Sequence, residues 1–383
     1  MSVPMPGSPR TQTTSAAAAK KKKKPVKKKK RRSSTLASIT LYTFFFMFLF
    51  GSVFSLWFFL TETGTNLRLM MADTIISTQH RDWAKYLIGE EELKKRVDRY
   101  WAQFDTYSEI KDKDLVRVDH KPATAAVEKK PPVEVEDIEG KNFKGKLLIV
   151  NDPKTLRIAV PGTRSKGEKV SSMVKRLGAI AGVNAGGFVD PEWKGNGFQP
   201  TGLVMSGGKI FYNDGGMNTR NHIVAIDKEG KLIAGKYTPN ELIKMGVQEA
   251  VTFAPKFIVN GVGMIKNQAD GWGIAPRTSM AQKADGTIMF AIIDGRQPGY
   301  SIGATLYDIQ NIFLEHGAVT AANLDGGSST VLVKDNQILN KPSSEYGERY
   351  LPTAWLVFED PAKANIKNIW EGLDPNKIDP SKW

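Results

Sequence analysis

The sequence predicts an α+β fold, in which a single mixed-sheet catalytic domain with few helices follows a transmembrane helix and a helical stalk. Residues 39–60 form an uncharged apolar run, and residues 141–360 contain many short β-branched runs broken by Gly, Asn and Asp. Such runs are typical of strands. Helical periodicity in residues 141–360 is confined to a few irregularly placed segments, whereas a βαβ fold alternates strands with helices regularly.

The positive charge of the chain is concentrated near its beginning. The 383 residues carry a net charge of +14, with 54 Lys and Arg against 40 Asp and Glu. Residues 1–60 hold 12 of the basic residues and none of the acidic ones, which leaves 42 basic and 40 acidic residues in the remainder. The remainder is almost neutral, so no nucleic-acid partner is predicted. The lack of cysteine excludes disulfides, thiolate catalysis and cysteine zinc sites.

The first 61 residues are predicted to anchor the chain in a membrane. Residues 1–35 form a disordered polybasic cytoplasmic tail in this prediction, because they contain little to bury. Residues 36–61 form the transmembrane helix, since the run 39–60 would extend over about 33 Å and a hydrocarbon core is about 30 Å thick. The basic block before this run predicts a single-pass protein of the cell membrane with a cytoplasmic N-terminus and an extracytoplasmic catalytic domain. Its lipid contacts are predicted in residues 20–60.

A cleaved signal peptide is the alternative for the apolar run. Its apolar region would be only about 7–15 residues long and would end in small residues. Here the run ends in Trp57, Phe58, Phe59 and Leu60, and this ending favours the uncleaved anchor.

Residues 62–118 are predicted to form an extracytoplasmic helical stalk, and residues 119–140 a linker rich in Pro, Ala, Glu and Lys. Apolar residues of the stalk recur at helical intervals, namely Leu69, Ala72, Ile76, Trp83, Leu87, Leu93, Val97, Tyr100 and Phe104. Two alternatives fit this pattern equally well. The helices either self-associate into a homo-oligomer or pack on the main domain.

Residues 141–360 are predicted to form the catalytic domain and residues 361–383 a polar C-terminal tail with a few anchoring aromatic residues. Helical patterns cover residues 169–177, 239–245 and 305–316, and Thr305 is a candidate N-cap of the last of them. The remaining short runs are predicted as strands, namely residues 147–152, 156–160, 178–186, 202–214, 221–227, 231–235, 256–263, 287–295, 321–327, 330–339 and 353–360. About 220 residues are enough for one sizeable core.

Polar clusters beside glycines follow several of the predicted strands. Asn184 precedes Gly186 and Gly187, and could bind a sugar hydroxyl or a phosphate; a simple turn is the alternative. Arg277, which two hydroxyl residues including Ser279 follow, could bind a phosphate in bidentate fashion or be a surface residue.

Two further clusters contain carboxylates. Asp294 and Arg296 bracket one glycine, so Asp294 is either catalytic or half of a structural ion pair. Residues 321–333, the sequence AANLDGGSSTVLV, place Asn323 and Asp325 before a glycine turn and two serines. A last loop carries the reserve carboxylates Glu345 and Glu348, followed by Arg349.

Several common chemistries have no support in the sequence. It contains no GxSxG, HExxH, Walker A or GxGxxG motif, and its four histidines are scattered. A Ser-His-Asp triad and a histidine zinc site are therefore disfavoured. No cofactor is required, although Asp294, Asp325 and nearby carbonyls could hold Ca²⁺ or Mg²⁺. Carboxylates, amides, hydroxyls and arginines suit glycosyl or phosphate chemistry.

These clusters, in this order, resemble the phosphodiester glycosidase family. The matching segments are residues 183–188 (VNAGGF), 201–202, 275–281 (APRTSMA), 285–296 (DGTIMFAIIDGR), 305–333 and 348–358. They cover residues 145–360, while the anchor and the stalk lie outside the resemblance. The sequence departs from many relatives in having two glycines before Ser328 where they have three.

The resemblance implies a hydrolase that cleaves the C1–O bond of a sugar 1-phosphodiester, of the N-acetylglucosamine 1-phosphate type, in cell-surface or exopolysaccharide material. Because the leaving phosphate is already a stable anion, the main demand falls on arginine and amide donors. The implied catalytic residues are Asp294 and Asp325. The implied substrate-binding residues are Asn184, Gly186, Gly187, Arg277, Ser279, Arg296, Asn323, Gly326, Gly327, Ser328 and Arg349. A tethered module that binds phosphate-containing wall or capsular polysaccharide without cleaving it is the alternative.

Overall fold

The computed structural model describes residues 32–78, 80–110, 112–118, 131–191 and 196–379. Most of the predicted polybasic tail, and the lipid contacts predicted for residues 20–31, lie outside these residues. The chain divides into two compact units, residues 1–61 and residues 62–383.

The first unit contains one long helix, α1, over Arg32–Leu60. Its residues Leu36–Leu60 are long and apolar enough to cross a membrane, and a signal sequence near an N-terminus would have the same properties. The hydroxyls of Thr40 and Thr43 donate hydrogen bonds of 2.9 Å to carbonyl oxygens four residues earlier. These two polar groups are thus satisfied within the helix, as a lipid environment requires.

The second unit begins with a group of helices that packs on the sheet domain. It consists of α2 (Glu62–Ile76), a 3₁₀ turn (Arg81–Ala84), α3 (Lys85–Ile88) and α4 (Glu90–Glu109). Ala72 and Ile76 of α2 and Tyr100 and Phe104 of α4 are buried in a cluster that also contains Trp272 of the sheet domain. Of the two alternatives for the predicted stalk, the structure shows packing on the main domain. Self-association stays a prediction.

The strands and the remaining helices follow in the second unit. Strands β1 to β17 occupy, in chain order, Val133–Gly140, Phe143–Val150, Leu156–Ala159, Ala181–Asn184, Leu203–Ser206, Lys209–Asn213, Asn221–Asp227, Leu232–Tyr237, Val247–Thr252, Lys256–Val259, Val262–Gly263, Arg277–Lys283, Ile288–Ile293, Ala318–Asn323, Leu332–Lys334, Gln337–Ile338 and Ala354–Val357. Helices α5 to α7 occupy Val170–Leu177, Pro239–Lys244 and Leu306–Glu315, which confirms the three predicted helical segments.

The strands form three sheets, and the predicted α+β class is confirmed. A seven-stranded sheet has the order β1-β2-β13-β12-β14-β10-β11, and two five-stranded sheets have the orders β16-β15-β4-β17-β3 and β6-β5-β9-β7-β8. Every pair of neighbouring strands within these described sheets is antiparallel. The pairing is thus antiparallel where the prediction was of mixed sheets. Antiparallel neighbours need no long helical crossover, which agrees with the small number of helices.

Three strands were absent from the predicted set, namely β1, β9 and β12. Strand β1 lies in the predicted linker and pairs with β2 along its whole length, from Val133 opposite Val150 to Gly140 opposite Phe143. Its acidic composition is that of an edge strand, which charge protects from further pairing. Strands β9 and β12 are buried but carry polar residues, so their sequences lack the apolar run by which a buried strand is predicted.

One central core joins the three sheets, and helices cover their other faces. The core contains Phe290 of the seven-stranded sheet, Trp355 of the second sheet and Val224 of the third, all fully buried. Helices α7, α5 and α6 contribute buried residues to the clusters on the outer faces of the first, second and third sheets, respectively. The C-terminal tail also reaches the core, where the Trp370 indole donates a hydrogen bond of 3.1 Å to the Phe198 carbonyl.

A buried carboxylate joins the two five-stranded sheets. Glu249 of β9 accepts hydrogen bonds from the Arg157 guanidinium at 2.7 Å and from the backbone N–H groups of Ile158 at 2.7 Å and Gly207 at 2.8 Å. Burial raises the pKa of Glu249 to about 7, against the opposing effect of Arg157. Three donors therefore depend on this one side chain.

Glu249→Ala should lower the free energy of unfolding by about 3–5 kcal/mol, because it leaves two backbone N–H groups and Nε of the half-buried Arg157 guanidinium without their acceptor. The exposed-residue variant Glu359→Ala is the control and should stay within about 0.5 kcal/mol of the wild type. Urea unfolding of the two purified variants measures the difference. Equal midpoints would contradict this role of Glu249.

Candidate active site

The polar clusters predicted from the sequence meet because their strands are neighbours. Arg277 at the start of β12 pairs with Ile293 at the end of β13, and Ser279 pairs with Asn323 at the end of β14. The segments that follow β13 and β14 therefore leave the sheet at the edge where β12 begins.

Asn184, at the end of β4, connects this edge to the second sheet. Its Nδ2 donates to the carbonyl oxygen of Asp325, and its Oδ1 accepts from Thr278 Oγ1 at 2.8 Å and from the Val331 N–H at 3.1 Å. The side chain is fully buried and lies outside the cavity lining described next. Asn184 thus fixes the backbone around Asp325, whereas the sequence suggested a direct contact with a sugar or phosphate.

A cavity of ≈ 310 Å³, which we call the arginine cavity, opens at this junction. It is lined by Ser77, Thr78, Gly187, Phe188, Thr201, Phe253, Trp272, Ala275, Pro276, Arg277, Arg296, Asn323, Asp325, Gly326, Gly327, Ser328, Ser329 and Arg349. Its volume is at the lower end of the range of about 300–1,000 Å³ for ligand pockets.

Asp325 is the carboxylate of the cavity. Its Oδ2 is inaccessible to solvent and has no hydrogen-bond partner among the described residues. Burial raises the pKa of Asp325 to about 6, while Ser329 and the charge of Arg349 oppose this shift. The side chain is therefore a weakly solvated base near neutral pH.

Arg277 is buried and is held by carbonyl groups. Its Nη2 donates to the carbonyl oxygens of Trp272 and Gly273, the latter at 3.0 Å, and its Nε donates to Ala304 O at 3.4 Å. The guanidinium also lies over the Trp272 ring, 5.3 Å from the centroid. Burial and then the nearby charge of Arg296 lower the pKa of Arg277 to about 10, so it remains a cation at neutral pH. Within the described chain, Nη1 makes no hydrogen bond and is available to a ligand.

Arg296 supplies a second cation without an ion-pair partner in the described residues. Its backbone is left-handed, with φ of 59°. Its guanidinium lies against Gly327, where an added Cβ would be 3.3 Å from Nη2. Gly327 also has a φ of 59°, a conformation that disfavours other residues. A glycine at this position thus leaves room for Arg296 beside the cavity.

Arg349 is the third cation, and it has an acidic partner. Its Nη2 contacts Asp190 Oδ2 at 2.6 Å, its Nη1 donates to Ser328 Oγ at 3.3 Å, and its guanidinium lies 4.9 Å from the centroid of the Phe188 ring. The side chain of Asp190 is fully buried. Asp190 is therefore a second carboxylate close to the cavity.

Close backbone approach explains two of the predicted glycines. An added Cβ at Gly187 would be 2.9 Å from Thr201 Oγ1, and one at Gly326 would be 2.9 Å from the Pro276 carbonyl oxygen. Asn323 lines the cavity, and its amide accepts from Ser279 Oγ at 3.0 Å. Ser279 itself is buried and does not line the cavity, so it acts by holding Asn323.

Four other predicted residues are outside the cavity lining. Asp294 is buried and accepts from Tyr300 at 3.0 Å, and from the Asn340 amide and the Lys341 N–H at 2.9 Å each. Burial raises its pKa, against these hydrogen bonds. Both of its carboxylate oxygens thus accept hydrogen bonds from the protein, and its catalytic role stays a prediction. The others are Gly186, the exposed Glu345, and Glu348, which accepts hydrogen bonds from Ser171 at the start of α5.

The described residues contain no group of three or more His, Asp or Glu side chains placed to hold a metal ion. The three protein donors on Asp294 also occupy the carboxylate that was expected to share a cation with Asp325. That no cofactor is required, with Ca²⁺ or Mg²⁺ as a possible ligand, stays a prediction that chelation can test.

Several residues of the site were not predicted from the sequence. The aromatic rings of Phe188, Phe253 and Trp272 form part of its wall, and Ser77 and Thr78 come from the end of α2. Phe188 could have been predicted, because it belongs to the VNAGGF segment that resembles the family. Trp272 lies between two glycines, five residues before Arg277. Phe253, Ser77 and Thr78 lie far from the glycine clusters in the sequence, and only tertiary packing brings them to the cavity.

Comparison with known proteins shows a similarity that covers most of the sheet domain. Residues 177–358 match the family model for phosphodiester glycosidase. A curated relative is the SPbeta prophage-derived uncharacterized protein YomE of Bacillus subtilis (strain 168), which is 27% identical over 213 residues. This alignment covers 52% of the present chain and 31% of the relative, so the chain spans about a third of that protein's length.

A solved structure has the same fold. The catalytic domain of zebrafish N-acetylglucosamine-1-phosphodiester alpha-N-acetylglucosaminidase, auto-inhibited by its pro-peptide, aligns with a TM-score of 0.50 and 21% identity. The alignment covers 60% of the present chain and 85% of the zebrafish chain.

Asp325→Asn should stabilise the protein at pH 7.5. The raised pKa means that the folded state binds a proton more tightly than the unfolded state, so wild-type stability falls as pH rises from about 4 to about 6. The asparagine side chain does not ionise, so the variant does not lose stability over this pH range. We expect its free energy of unfolding to exceed that of the wild type by about 2–3 kcal/mol at pH 7.5 and to equal it near pH 4.

Thermal unfolding at both pH values measures this gain, with the exposed-residue variant Asp335→Asn as the matched control. A loss of stability in Asp325→Asn at pH 7.5 would show that the ionised carboxylate is stabilised by its surroundings.

Proposed function

We propose that this chain, whose residues 177–358 form a domain of the phosphodiester glycosidase family, hydrolyses the glycosidic bond of sugar 1-phosphodiesters. The observation that carries the proposal is the composition of the arginine cavity. A carboxylate with a raised pKa lies in the same cavity as three arginines, two of which have no acidic partner in the described residues. Such a site suits an anionic substrate that is attacked by a base or nucleophile.

The phosphate of the substrate would bind to Arg277 and Arg296. Arg277 offers Nη1, and its position is fixed by three carbonyl groups. A fixed guanidinium in a water-poor cavity stabilises developing charge without reorganising, which is how such groups lower a barrier. The leaving phosphate becomes a dianion as the bond breaks, so two cations favour the transition state over the ground state.

The sugar would occupy the part of the cavity lined by aromatic rings and amides. Phe188, Phe253 and Trp272 offer apolar faces, while Asn323 and Thr201 offer polar contacts. Pockets of this composition hold a small ligand by apolar contact and orient it with a few polar groups.

The reaction would break the bond between C1 of the sugar and the phosphate oxygen. Water supplies the oxygen that bonds to C1, the electron pair of the broken bond stays on the phosphate, and one proton is released. Asp325 would either remove the proton from water or attack C1 first, in which case water releases the sugar from the carboxylate. Both roles require the ionised carboxylate.

The setting of the proposed reaction is the cell envelope. Helix α1 would anchor the chain with its N-terminus in the cytoplasm, so that the sheet domain acts outside the membrane on N-acetylglucosamine 1-phosphate-type linkages of cell-surface or exopolysaccharide material. The apolar helix Leu36–Leu60 and the preceding basic block support this proposal.

One observation favours the alternative, a tethered module that binds phosphate-containing polysaccharide without cleaving it. Among the described residues, Asp325 is the single carboxylate in the cavity lining, whereas glycosidases usually use two. Asp190 is close, but its ion pair with Arg349 holds it in the wall. Binding without turnover would fit that arrangement.

A hydrolysis assay distinguishes the two functions. Full-length protein in detergent is incubated with methyl phosphodiesters of α-linked N-acetylglucosamine, glucose and galactose, and free reducing sugar is measured. We expect release by the wild type and by Asp335→Asn, and a loss of at least about 10³-fold in Asp325→Asn, as for removal of a catalytic carboxylate. Activity that disappears with EDTA and returns with Ca²⁺ or Mg²⁺ would establish a cation requirement.

No release from any substrate, together with retained binding of a phosphate-containing polymer, would contradict the hydrolase and support the module. Full activity in folded Asp325→Asn would remove Asp325 from the mechanism.

The pH dependence of the reaction should follow the ionisation of Asp325. Since the ionised form is required and its pKa is raised to about 6, kcat/KM should increase with pH around that value and then level off. Initial rates between pH 4.5 and pH 8, with stability checked at each pH, measure the profile. A rate that is independent of pH across this range would contradict the role of Asp325.

A further inference from the structure

Residues 62–110, which we call the helical segment, lie outside the residues matched to the family yet contribute to the arginine cavity through Ser77 and Thr78. We propose that the helical segment positions Arg277 and is thereby required for the binding of phosphate in the cavity. The inference rests on the proposed function only in taking that phosphate to be part of the substrate. Arg277 is the group that binds, and the residues of the helical segment act through it.

An aromatic contact provides the first connection. The Phe104 ring of α4 meets the Trp272 ring edge to face, with centroids 5.1 Å apart and planes inclined by 68°. Phe104 is 3% exposed, so its packing fixes the position of the indole. The same indole lies over the Arg277 guanidinium. The ring that covers Arg277 is therefore held in place by a residue of the helical segment.

The backbone beside Trp272 provides the second connection. Trp272 and Gly273 both have left-handed backbones, with φ of 59° and 64°. This uncommon conformation places both carbonyl oxygens on Nη2 of Arg277. For a residue as bulky as tryptophan the conformation is strained, and the surrounding structure must hold it.

Helix α2 holds this strained segment. The N–H of Ile274 donates to Thr74 Oγ1 at 3.2 Å. Gly273 packs so closely on α2 that an added Cβ would be 2.6 Å from the Asp73 carbonyl oxygen and from Thr74 backbone atoms. Two of the three carbonyl contacts of Arg277 thus come from a segment that lies directly on α2.

An ion pair makes α2 and α4 act together. Asp73 accepts from Arg96 Nη1 through both carboxylate oxygens, at 2.8 and 2.9 Å. The side chains are 5% and 11% exposed, so the pair is well shielded from water. Burial raises the pKa of Asp73, and Arg96 opposes this shift. The pair fixes the relative position of the two helices that contact residues 272–274.

Arg277 depends on this support because it lacks a carboxylate partner in the described residues. Its remaining protein contact is a long hydrogen bond to Ala304 at 3.4 Å. A shift of residues 272–274 would therefore move the guanidinium or expose it to water. The guanidinium is buried in surroundings of low dielectric constant, where the strength of anion binding depends on a fixed position of the charge. Anion binding is therefore sensitive to such a shift.

Inorganic phosphate is the probe for the test, and calorimetry on full-length protein in detergent measures its dissociation constant. The test variants are Phe104→Leu, which removes the ring on Trp272, and Thr74→Val, which removes the acceptor for the Ile274 N–H.

Each test variant has a matched control. Phe290→Leu removes a fully buried ring that packs on another tryptophan, Trp355, in the central core. Thr106→Val removes a hydroxyl of α4 whose hydrogen bond goes to Ala102 in its own helix. The controls reproduce the chemical changes without touching residues 272–274.

We expect Phe104→Leu and Thr74→Val each to weaken phosphate binding by about five- to tenfold, the effect of losing one aromatic contact and one hydrogen bond, respectively. The two controls should stay within about twofold, since they leave the arginine cavity unchanged. Phe104→Leu and Phe290→Leu should lower the melting temperature to a similar extent, so a general loss of stability cannot produce the difference in binding.

A double-mutant cycle separates positioning from simple packing. Arg277→Lys keeps the charge but loses the contacts with the Trp272 and Gly273 carbonyls, so Phe104→Leu should change phosphate binding by less than about twofold in that background. Unchanged phosphate binding in folded Phe104→Leu and Thr74→Val would overturn the inference, and so would the full effect of Phe104→Leu in Arg277→Lys. A wild type that binds no phosphate would also overturn it. A wild type that binds phosphate but hydrolyses no sugar phosphodiester would contradict the proposed function alone.

Discussion

The burial of the Arg277 guanidinium constrains much of the structure around the arginine cavity. A charge removed from water needs compensation, and here carbonyl dipoles and an aromatic face provide it in place of a carboxylate. A carboxylate partner would have neutralised the cation. Compensation by neutral groups leaves the positive charge available to an anion, and the raised pKa of Asp325 in the same cavity keeps a base beside it. Electrostatic preorganisation of this kind is a large contribution to catalysis by hydrolases.

The fold brings these groups together through antiparallel pairing. The start of β12 and the ends of β13 and β14 share one edge, and Asn184 of the second sheet holds the backbone of Asp325. Long-range pairing of this sort cannot tolerate a shift in register, because a slip of one residue would turn each side chain to the opposite face. The helical segment adds a wall that the sheets do not supply.

The sequence predicted the α+β class, the three helices and most of the glycine clusters, because short apolar runs and paired glycines report local conformation. It did not reveal β9 and β12, since Glu249, Arg277 and Gln282 place buried polar groups where a strand pattern requires apolar ones. Asp294 looked equivalent to Asp325 because each follows an apolar strand. Their environments differ only in tertiary contacts, which no local pattern records. The contact between Phe104 and Trp272 joins residues separated by about half the length of the second unit, and the sequence did not predict it either.

The proposed reaction breaks the bond between C1 of the sugar and the phosphate oxygen and leaves the bond to phosphorus intact. Hydrolysis of a methyl phosphodiester of N-acetylglucosamine in ¹⁸O-labelled water, followed by mass spectrometry of both products, tests it directly. We expect the label at C1 of the released sugar and none in methyl phosphate. Label in the phosphate product would show attack at phosphorus, and would contradict both the glycosidase assignment and the role given to Asp325.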